Sequence, residues 1–380
     1  MIEVWQGSDG KNRYRARIES KDPLTGDRRR VRGKTKTNRR AAEIEEAELI
    51  AKRNTGTLLN PKTTTVTQLW DEWIETKTSL RPNSRRDYEI AFERHIQPVI
   101  GSVRIQALTF NQVRELCNDP KLKPRYAQRV HMLLNACLTY AVNRRLIQTN
   151  PAAGVELRKV PRPAIQAWDA KEAAKFLAES KVDGLYPLWP LMLNECLRRS
   201  EALGLRWQDV DLDRGVIRIV QTVVPNRSDK GKAVIQKATK TAGSTRAVRL
   251  TAYSVNALRV FRPKWESKRA CSANWRDNDL IICTRDGAPI SPDNVTRSFA
   301  AIVARAKVKA ITPHGLRHTG ATLLLTGGIH PKIVQDRLGH SSISTTMDRY
   351  GHLTDDLQQL AASSIDSLIA SAAAEESPAQ

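Results

Sequence analysis

A basic stretch stiffened by two prolines, RKVPRPAIQAW at residues 158–168, divides this chain of 380 residues. Pro161 and Pro163 each fix φ and remove a backbone donor, so the stretch cannot run on as helix or sit inside a sheet. The stretch reads as an interdomain linker, and 380 residues suffice for two or three domains. Upstream, residues 1–60 read as a small β-rich unit with a helix, and 64–158 as helices alone. Downstream, 164–370 mixes helices with a few strands, and 371–380 is a small-residue tail expected to be disordered. The expected fold class is α+β and multidomain: a small sheet plus helix, an all-α helical bundle, then a mainly α domain with a small antiparallel sheet.

Within the first segment, KNRYRARI alternates with period two. Lys11, Arg13, Arg15 and Arg17 share one face, while Tyr14, Ala16 and Ile18 share the other, the pattern of a half-buried strand with a basic outer side. Pro23, Gly26 and Asp27 predict a turn that returns the chain along Arg28 to Arg32. The helix RRAAEIEEAELIAKR follows, with Asn38 or Thr37 as its cap and Gly56 as its stop. In the second segment Val66, Leu69, Trp70 and Trp73 have helical spacing. Ser84 is expected to cap SRRDYEIAFERHI, which Pro98 breaks; a third helix starts near Thr109, and YAQRVHMLLNACLTYAVNRRL forms a fourth. In the third segment GVIRIV reads as a strand, and VIQKATKTAGSTRAVRL as a hairpin turning at Ala242-Gly243.

The chain carries 62 basic against 40 acidic residues, a formal charge of +22. A protein this basic usually meets a polyanion, most often nucleic acid. Like charges along one strand repel, and a phosphate backbone would relieve them. Candidate DNA contacts are therefore Arg13, Arg15, Arg17, Arg28 and Arg30 on the predicted sheet. At the helix starts of the second segment they are Arg81, Arg85, Arg86, Lys123, Arg125 and Arg129. The 5 cysteines are scattered without a CxxC pair or clustered histidines, which argues against a zinc site or a disulfide framework. No metal and no cofactor are expected. Neither an apolar leader nor a run of membrane-spanning length is present, so no membrane association and a cytoplasmic location are expected.

A set of unusual side chains gathers in the third segment. CLRRSEALGL places Arg198 and Glu201 three apart; ATKTAGS holds Lys240 near a Gly turn. PHGLRHTGATLLL puts His314, Arg317 and His318 at the entry of an apolar helix, and DRLGHSSISTTMDRYGHL holds His340 with Tyr350 ten residues later. Singly, each has an ordinary explanation: a surface ion pair, a solvated lysine, a histidine cap, an aromatic side chain at a helix end. In order, the segments LRRSEALGL, KTAGSTR, HGLRH and LGHSSISTTMDRYGH resemble the active-site boxes of the tyrosine recombinase family, in particular phage-type integrases. The resemblance covers about 165–365, and the first 155 residues resemble, in layout, arm-binding and core-binding domains.

That resemblance implies Arg198 and Arg317 as the catalytic arginines, Lys240 as the hairpin lysine, His314 and His340 as the histidines, and Tyr350 as the nucleophile. Glu201 would support Arg198, and His318 would play a supporting role. Two guanidiniums clamp the non-bridging oxygens of a phosphodiester bidentately and stay charged throughout. A tyrosine hydroxyl, with a reference pKa of roughly 10, needs nearby cations and a proton acceptor, expected to be His314. The implied reaction is cleavage and rejoining of DNA through a 3′-phosphotyrosine, without metal or ATP, integrating and excising a phage or mobile element at attachment sites. Double-stranded DNA with core-type and arm-type sites is the implied partner, in a nucleoid-associated setting in a bacterial host. A homotetramer joined by the amphipathic helix after Tyr350 (Leu353, Leu357, Leu360, Ile365, Leu368, Ile369), a host DNA-bending protein and an excision factor are implied too. The first box departs from the family pattern at Glu195-Cys196, where Thr-Gly is usual, which puts its local packing in question. Two alternatives remain: a monomeric type IB topoisomerase, which would relax supercoils without partner sites, and a DNA-binding regulator with a silent active site, which would form no covalent adduct.

Overall fold

The computed structural model describes residues 1–21, 28–54, 64–160, 166–226, 229, 232–237, 245–350, 362, 365, 366 and 369. The turn expected at 22–27, Lys240, and nearly all of the helix expected after Tyr350 lie outside the described residues. The chain forms two compact units, Met1–Arg162 and Pro163–Gln380, and the boundary along the sequence falls within the proline-stiffened stretch.

In the first unit, β1 (Ile2–Gln6), β2 (Asn12–Lys21) and β3 (Arg28–Arg32) form an antiparallel sheet in the order β1-β2-β3. On the face that the period-two pattern predicts, Ala16 and Ile18 are buried and Tyr14 is half-buried, and Val31 of β3 is buried as well. Helix α1 (Arg39–Asn54) starts after Asn38, whose Oδ1 accepts from the Arg40 N–H at 2.8 Å. Helices α2 (Val66–Glu75), α3 (Pro82–Ala91), α4 (Gln97–Ile100), α5 (Phe110–Cys117) and α6 (Pro124–Asn143) surround a separate core containing Trp70, Trp73, Phe92 and Leu134. Two expectations are corrected. Pro82, not Ser84, begins α3, because proline is preorganised for the first helical position. The helical path expected to break after Gln97-Pro98 runs two residues further: a π-helical turn at Phe92–Ile96 leads into α4, which ends at Ile100.

The second unit packs α7 (Ala170–Ser180), α8 (Leu188–Leu193), α9 (Arg199–Leu203), α10 (Ala252–Ala270), α11 (Pro292–Ala306) and α12 (Pro313–Thr326) with short strands, five of them among the described residues. Trp168 anchors it: the indole stacks among Phe176 and Phe299, and its Nε1 donates to the Lys309 carbonyl at 2.7 Å. Strands β4 (Val210–Asp211), β5 (Val216–Ile219) and β8 (Arg246–Arg249) form one sheet. Strands β6 (Gln221–Pro225) and β7 (Ala233–Lys237) form the other. The hairpin expected across 234–250 is thus corrected, since β7 pairs with β6 and β8 pairs with β5. The polar stretch between Pro225 and Lys232 belongs to the β6–β7 connection, where Asn226 N–H donates to the Lys232 carbonyl at 2.8 Å. The unit's described helices end with α13 (Pro331–Leu338) and α14 (Ile343–Tyr350). No helix among the described residues is long and apolar enough to cross a membrane.

Helix α12 lies against the end of α8 because Gly320 has no side chain. A Cβ there would stand 2.0 Å from the Leu193 carbonyl oxygen and 2.7 Å from Cys196 Sγ. Gly320→Ala is therefore expected to lower stability by about 1–3 kcal/mol, the usual cost of overpacking. Gly184→Ala, with nothing within 4 Å of the added carbon, should change it by less than about 0.5 kcal/mol. Urea unfolding of the two variants beside the parent checks this, and equal effects would contradict it.

Candidate active site

Glu201 gathers the cations. It is the third residue of α9, and its Oε2 accepts at 2.9 Å from the backbone N–H of Arg198, the extended residue just before the helix. Arg198 is thus the helix cap, and Glu201 reaches back to it; the two do not share a helical face. Arg198 Nη1 donates to Oε1 at 2.7 Å. Arg246, from β8, donates to both oxygens, at 3.1 and 2.9 Å. Arg317 Nη1 stands 4.0 Å from Oε2. Burial alone would push this carboxyl up, but the hydrogen bonds and charge of Arg246, with Arg198, hold it down at about 2.

Exposure separates the three guanidiniums. The Arg198 side chain is 39% exposed, that of Arg246 10%, and that of Arg317 3%, so Arg198 is the one open to a ligand from solvent. Arg317 is locked by main-chain carbonyls: Nη1 donates to Cys196 at 2.7 Å and Nη2 to Leu338 at 2.6 Å. Burial, then the like charge of Arg198, lowers its pKa to about 10, which leaves it charged near neutrality. Arg317 Nη2 also lies 3.1 Å from His340 Nε2. A guanidinium only donates, so Nε2 is the acceptor, and Nδ1 carries the proton towards Thr346 Oγ1, 2.9 Å away on α14.

Tyr350 is the last residue of α14 and is 3% exposed, packed among Cys196, Ala321, Leu325, Val334 and Leu338. Its hydroxyl lies 2.8 Å from His318 Nδ1. His314 stands edge-on to His318, ring centroids 4.7 Å apart. The position at the hydroxyl expected for His314 is therefore held by His318, the histidine expected to be supporting. Lys240 lies outside the described residues. Among the described residues no three His, Cys, Asp or Glu side chains cluster as metal ligands.

The departure at Glu195-Cys196 has a physical account. Cys196 adopts φ 54°, a left-handed conformation that favours glycine, and there it turns its carbonyl to Arg317. Its side chain is buried, and its Sγ occupies the space that a Cβ at Gly320 would need. Glu195 is fully buried and accepts from Thr251 N–H at 2.8 Å, Thr251 Oγ1 at 3.1 Å and Ser254 Oγ at 2.8 Å. Arg337 Nη2 approaches it to 3.7 Å. Sequence reasoning missed Arg246, Arg337 and the role of Glu195; the only signal for Arg246 was its place at the end of KTAGSTR.

The expected DNA contacts divide by their internal partners. On the sheet, Glu3 of β1 faces Arg15 and binds Arg15, Arg17 and Arg32 at 3.1, 3.3 and 3.5 Å. Arg13 pairs with Asp9 at 2.7 Å and Arg30 with Glu19 at 3.8 Å; Arg28 is exposed. The repulsion among Arg13, Arg15, Arg17 and Arg30 is thus relieved in part by carboxylates of the protein itself. On the helices, Arg85 pairs with Glu75 and Glu89, Arg86 with Glu89 and Glu93, and Arg129 with Asp87. Arg81 precedes α3 as its cap. Lys123 and Arg125, at the start of α6, are exposed and have no ion-pair partner among the described residues.

Comparison with known proteins points one way. The model of the phage integrase family matches residues 169–356, and that of the phage integrase N-terminal SAM-like domain matches 65–119. The tyrosine recombinase XerC of Xanthomonas campestris pv. campestris is 33% identical over 270 residues, covering 69% of this chain and 74% of that protein. A XerC-like tyrosine recombinase of Caldanaerobacter subterraneus is 24% identical over 91% of this chain and 93% of its own length. Among solved structures, the Tn1549 transposon integrase in complex with a circular intermediate DNA superposes with a TM-score of 0.65 at 21% identity, covering 79% of this chain and 99% of that one. A lambda integrase tetramer bound to a Holliday junction superposes with a TM-score of 0.56 at 17% identity, covering 92% and 95%. Both share the fold.

Glu195 makes a pH-dependent contribution. Burial pushes its carboxyl up from the ordinary 4.5 to about 7, against the pull of Thr251, Ser254 and Arg337. A raised carboxyl favours the protonated folded state, so its contribution is full below 4.5 and is lost as pH rises to about 7. Glu195→Gln should therefore gain stability relative to the parent between about pH 5 and about pH 8. Urea unfolding at both pH values tests this; a constant difference between the two proteins would contradict it.

Proposed function

The chain belongs to the phage integrase family and is a tyrosine site-specific recombinase, and from that premise we propose how its own residues cut and rejoin DNA. Tyr350 is the nucleophile. Its Oη attacks the scissile phosphorus, the bond from phosphorus to the 5′ oxygen breaks, and a 3′-phosphotyrosine link forms while the 5′ oxygen takes up a proton. Arg198, the exposed guanidinium, receives the phosphodiester, and Arg317, held in place by the neutral ring of His340, supplies the second positive charge near which negative charge develops. The phenol proton has an acceptor in place at His318 Nδ1, with His314 beside it. Lys240 is the donor to the leaving 5′ oxygen. The phosphoester bond is conserved in the intermediate, so attack by a free 5′ hydroxyl rejoins DNA without ATP or divalent metal.

The observation that carries this reading is a continuous polar chain. It runs from Arg198 to Glu201, on to Arg317 and His340, and ends at Thr346, on the same helix as Tyr350.

Core-type DNA is gripped by residues 64–158, with Lys123 and Arg125 as cations that have no ion-pair partner among the described residues, together with the catalytic unit; residues 1–60 take arm-type sites. Four subunits assemble on DNA through the segment after Tyr350, a reading supported by the lambda integrase tetramer on a Holliday junction. Insertion and excision of a mobile element, with a host bending protein and an excision factor, follow from the kinship with integrases. Neither a monomeric relaxing enzyme nor a silent regulator is favoured, since the relatives are named recombinases and integrases.

Tyr350→Phe is expected to bind DNA like the parent and to form no covalent adduct on a nicked suicide substrate. Arg198→Ala should slow adduct formation about 100- to 1000-fold, the size of effect seen when one preorganised charge donor is lost. Denaturing gels of trapped adducts read both, and an adduct at the parental rate with either variant would contradict the assignment.

A further inference from the structure

We propose that Arg246 is a positioning residue for strand cleavage: by occupying both oxygens of Glu201, it sets how much of the Arg198 guanidinium is left for phosphate. The inference rests on the reading of Arg198 as the phosphate-binding arginine.

Arg246 ties together three segments that carry the site. Its Nη1 and Nη2 hold Glu201 on α9 in a bidentate pair, and its Nε donates at 3.2 Å to the carbonyl of Arg337 at the end of α13. Its guanidinium also fills the space beside Gly339. A Cβ at that glycine would stand 2.7 Å from Nη1 and 2.8 Å from Cζ of Arg246. Gly339 in turn offers its carbonyl to Arg198 Nη2 at 3.4 Å and immediately precedes His340. Arg246 therefore touches the carboxylate that orients Arg198, the turn that backs Arg198, and the segment that delivers His340.

The charges give this geometry its function. Glu201 is faced by Arg198 from the start of its own helix, by Arg246 from β8 and by Arg317 from α12. With Arg246 on both carboxylate oxygens, Arg198 gives Glu201 one side-chain hydrogen bond and keeps donors free. Without Arg246, the carboxylate has a full pair of acceptor sites for Arg198 and competes with phosphate for the same fork. The side chain of Arg246 is only 10% exposed, so it acts through Glu201 and not by touching DNA. Arg246 is also the largest influence holding the Glu201 carboxyl down.

The test is single-turnover cleavage of a nicked suicide substrate by the full chain, at saturating DNA and across pH, with Arg246→Ala, Arg246→Lys and Arg198→Ala. Arg246→Ala is expected to cleave about 10- to 100-fold more slowly, with DNA affinity within about twofold of the parent. Its acid limb should move to higher pH, because Glu201 then protonates more readily. Arg246→Lys, or added guanidinium ion with Arg246→Ala, should restore part of the rate. Parental rates in both Arg246 variants would overturn the proposal. So would a loss that vanishes below the variants' melting temperatures, or one that follows DNA affinity alone. Should Arg246→Ala not fold, the rate and acid limb of Arg246→Lys decide. Parental cleavage by Arg198→Ala would instead overturn the underlying reading of the site.

Discussion

One buried carboxylate makes the catalytic unit possible. Two like unit charges about 4 Å apart repel by about 4 kcal/mol at an effective dielectric near 20, so three guanidiniums cannot share a pocket unaided. Glu201 lies among all of them, with Arg198 and Arg246 hydrogen-bonded to it and Arg317 at 4.0 Å. Two positive charges remain uncompensated on this group. A phosphodiester brings one negative charge, and attack on it develops more. On the proposed assignment, the protein thus stores an excess of positive charge at the point where the reaction builds negative charge.

Holding that excess dictates the backbone around it. Arg198 must precede its helix so that Glu201 can bind its N–H as well as its guanidinium. Cys196 turns through the left-handed region so that its carbonyl meets Arg317, and Leu338 supplies the second carbonyl. Gly320 lets α12, which carries Arg317 and His318, approach α8, and Gly339 leaves room for Arg246. These backbone features belong to separate segments, and each serves a side chain contributed by another.

The sequence carried much of this and hid the rest for definite reasons. Periodicity revealed the strand at KNRYRARI and the α2 and α6 helices, because one face of each is buried. Order and wording of four segments singled out Arg198, His314, Arg317, His340 and Tyr350. Strand partners were not legible: β7 and β8 are neighbours in sequence but pair with β6 and β5, and alternation specifies a face, not a partner. The basic row on β2 suggested an external anion because its counter-charge, Glu3, sits on another strand. His318 and His314 differ by one helical turn, and only the position of α14 determines which meets the tyrosine hydroxyl. Arg246 left no periodic trace because its partners lie 45 and 91 residues away.

On the proposed assignment, the whole of this electrostatic arrangement serves one hydroxyl, that of Tyr350. The most direct measurement is to trap the covalent complex on a nicked suicide substrate, digest it, and locate the modified residue by mass spectrometry. A nucleotide-bearing peptide with its phosphate on Tyr350 is the predicted result. Attachment at any other side chain would contradict the account.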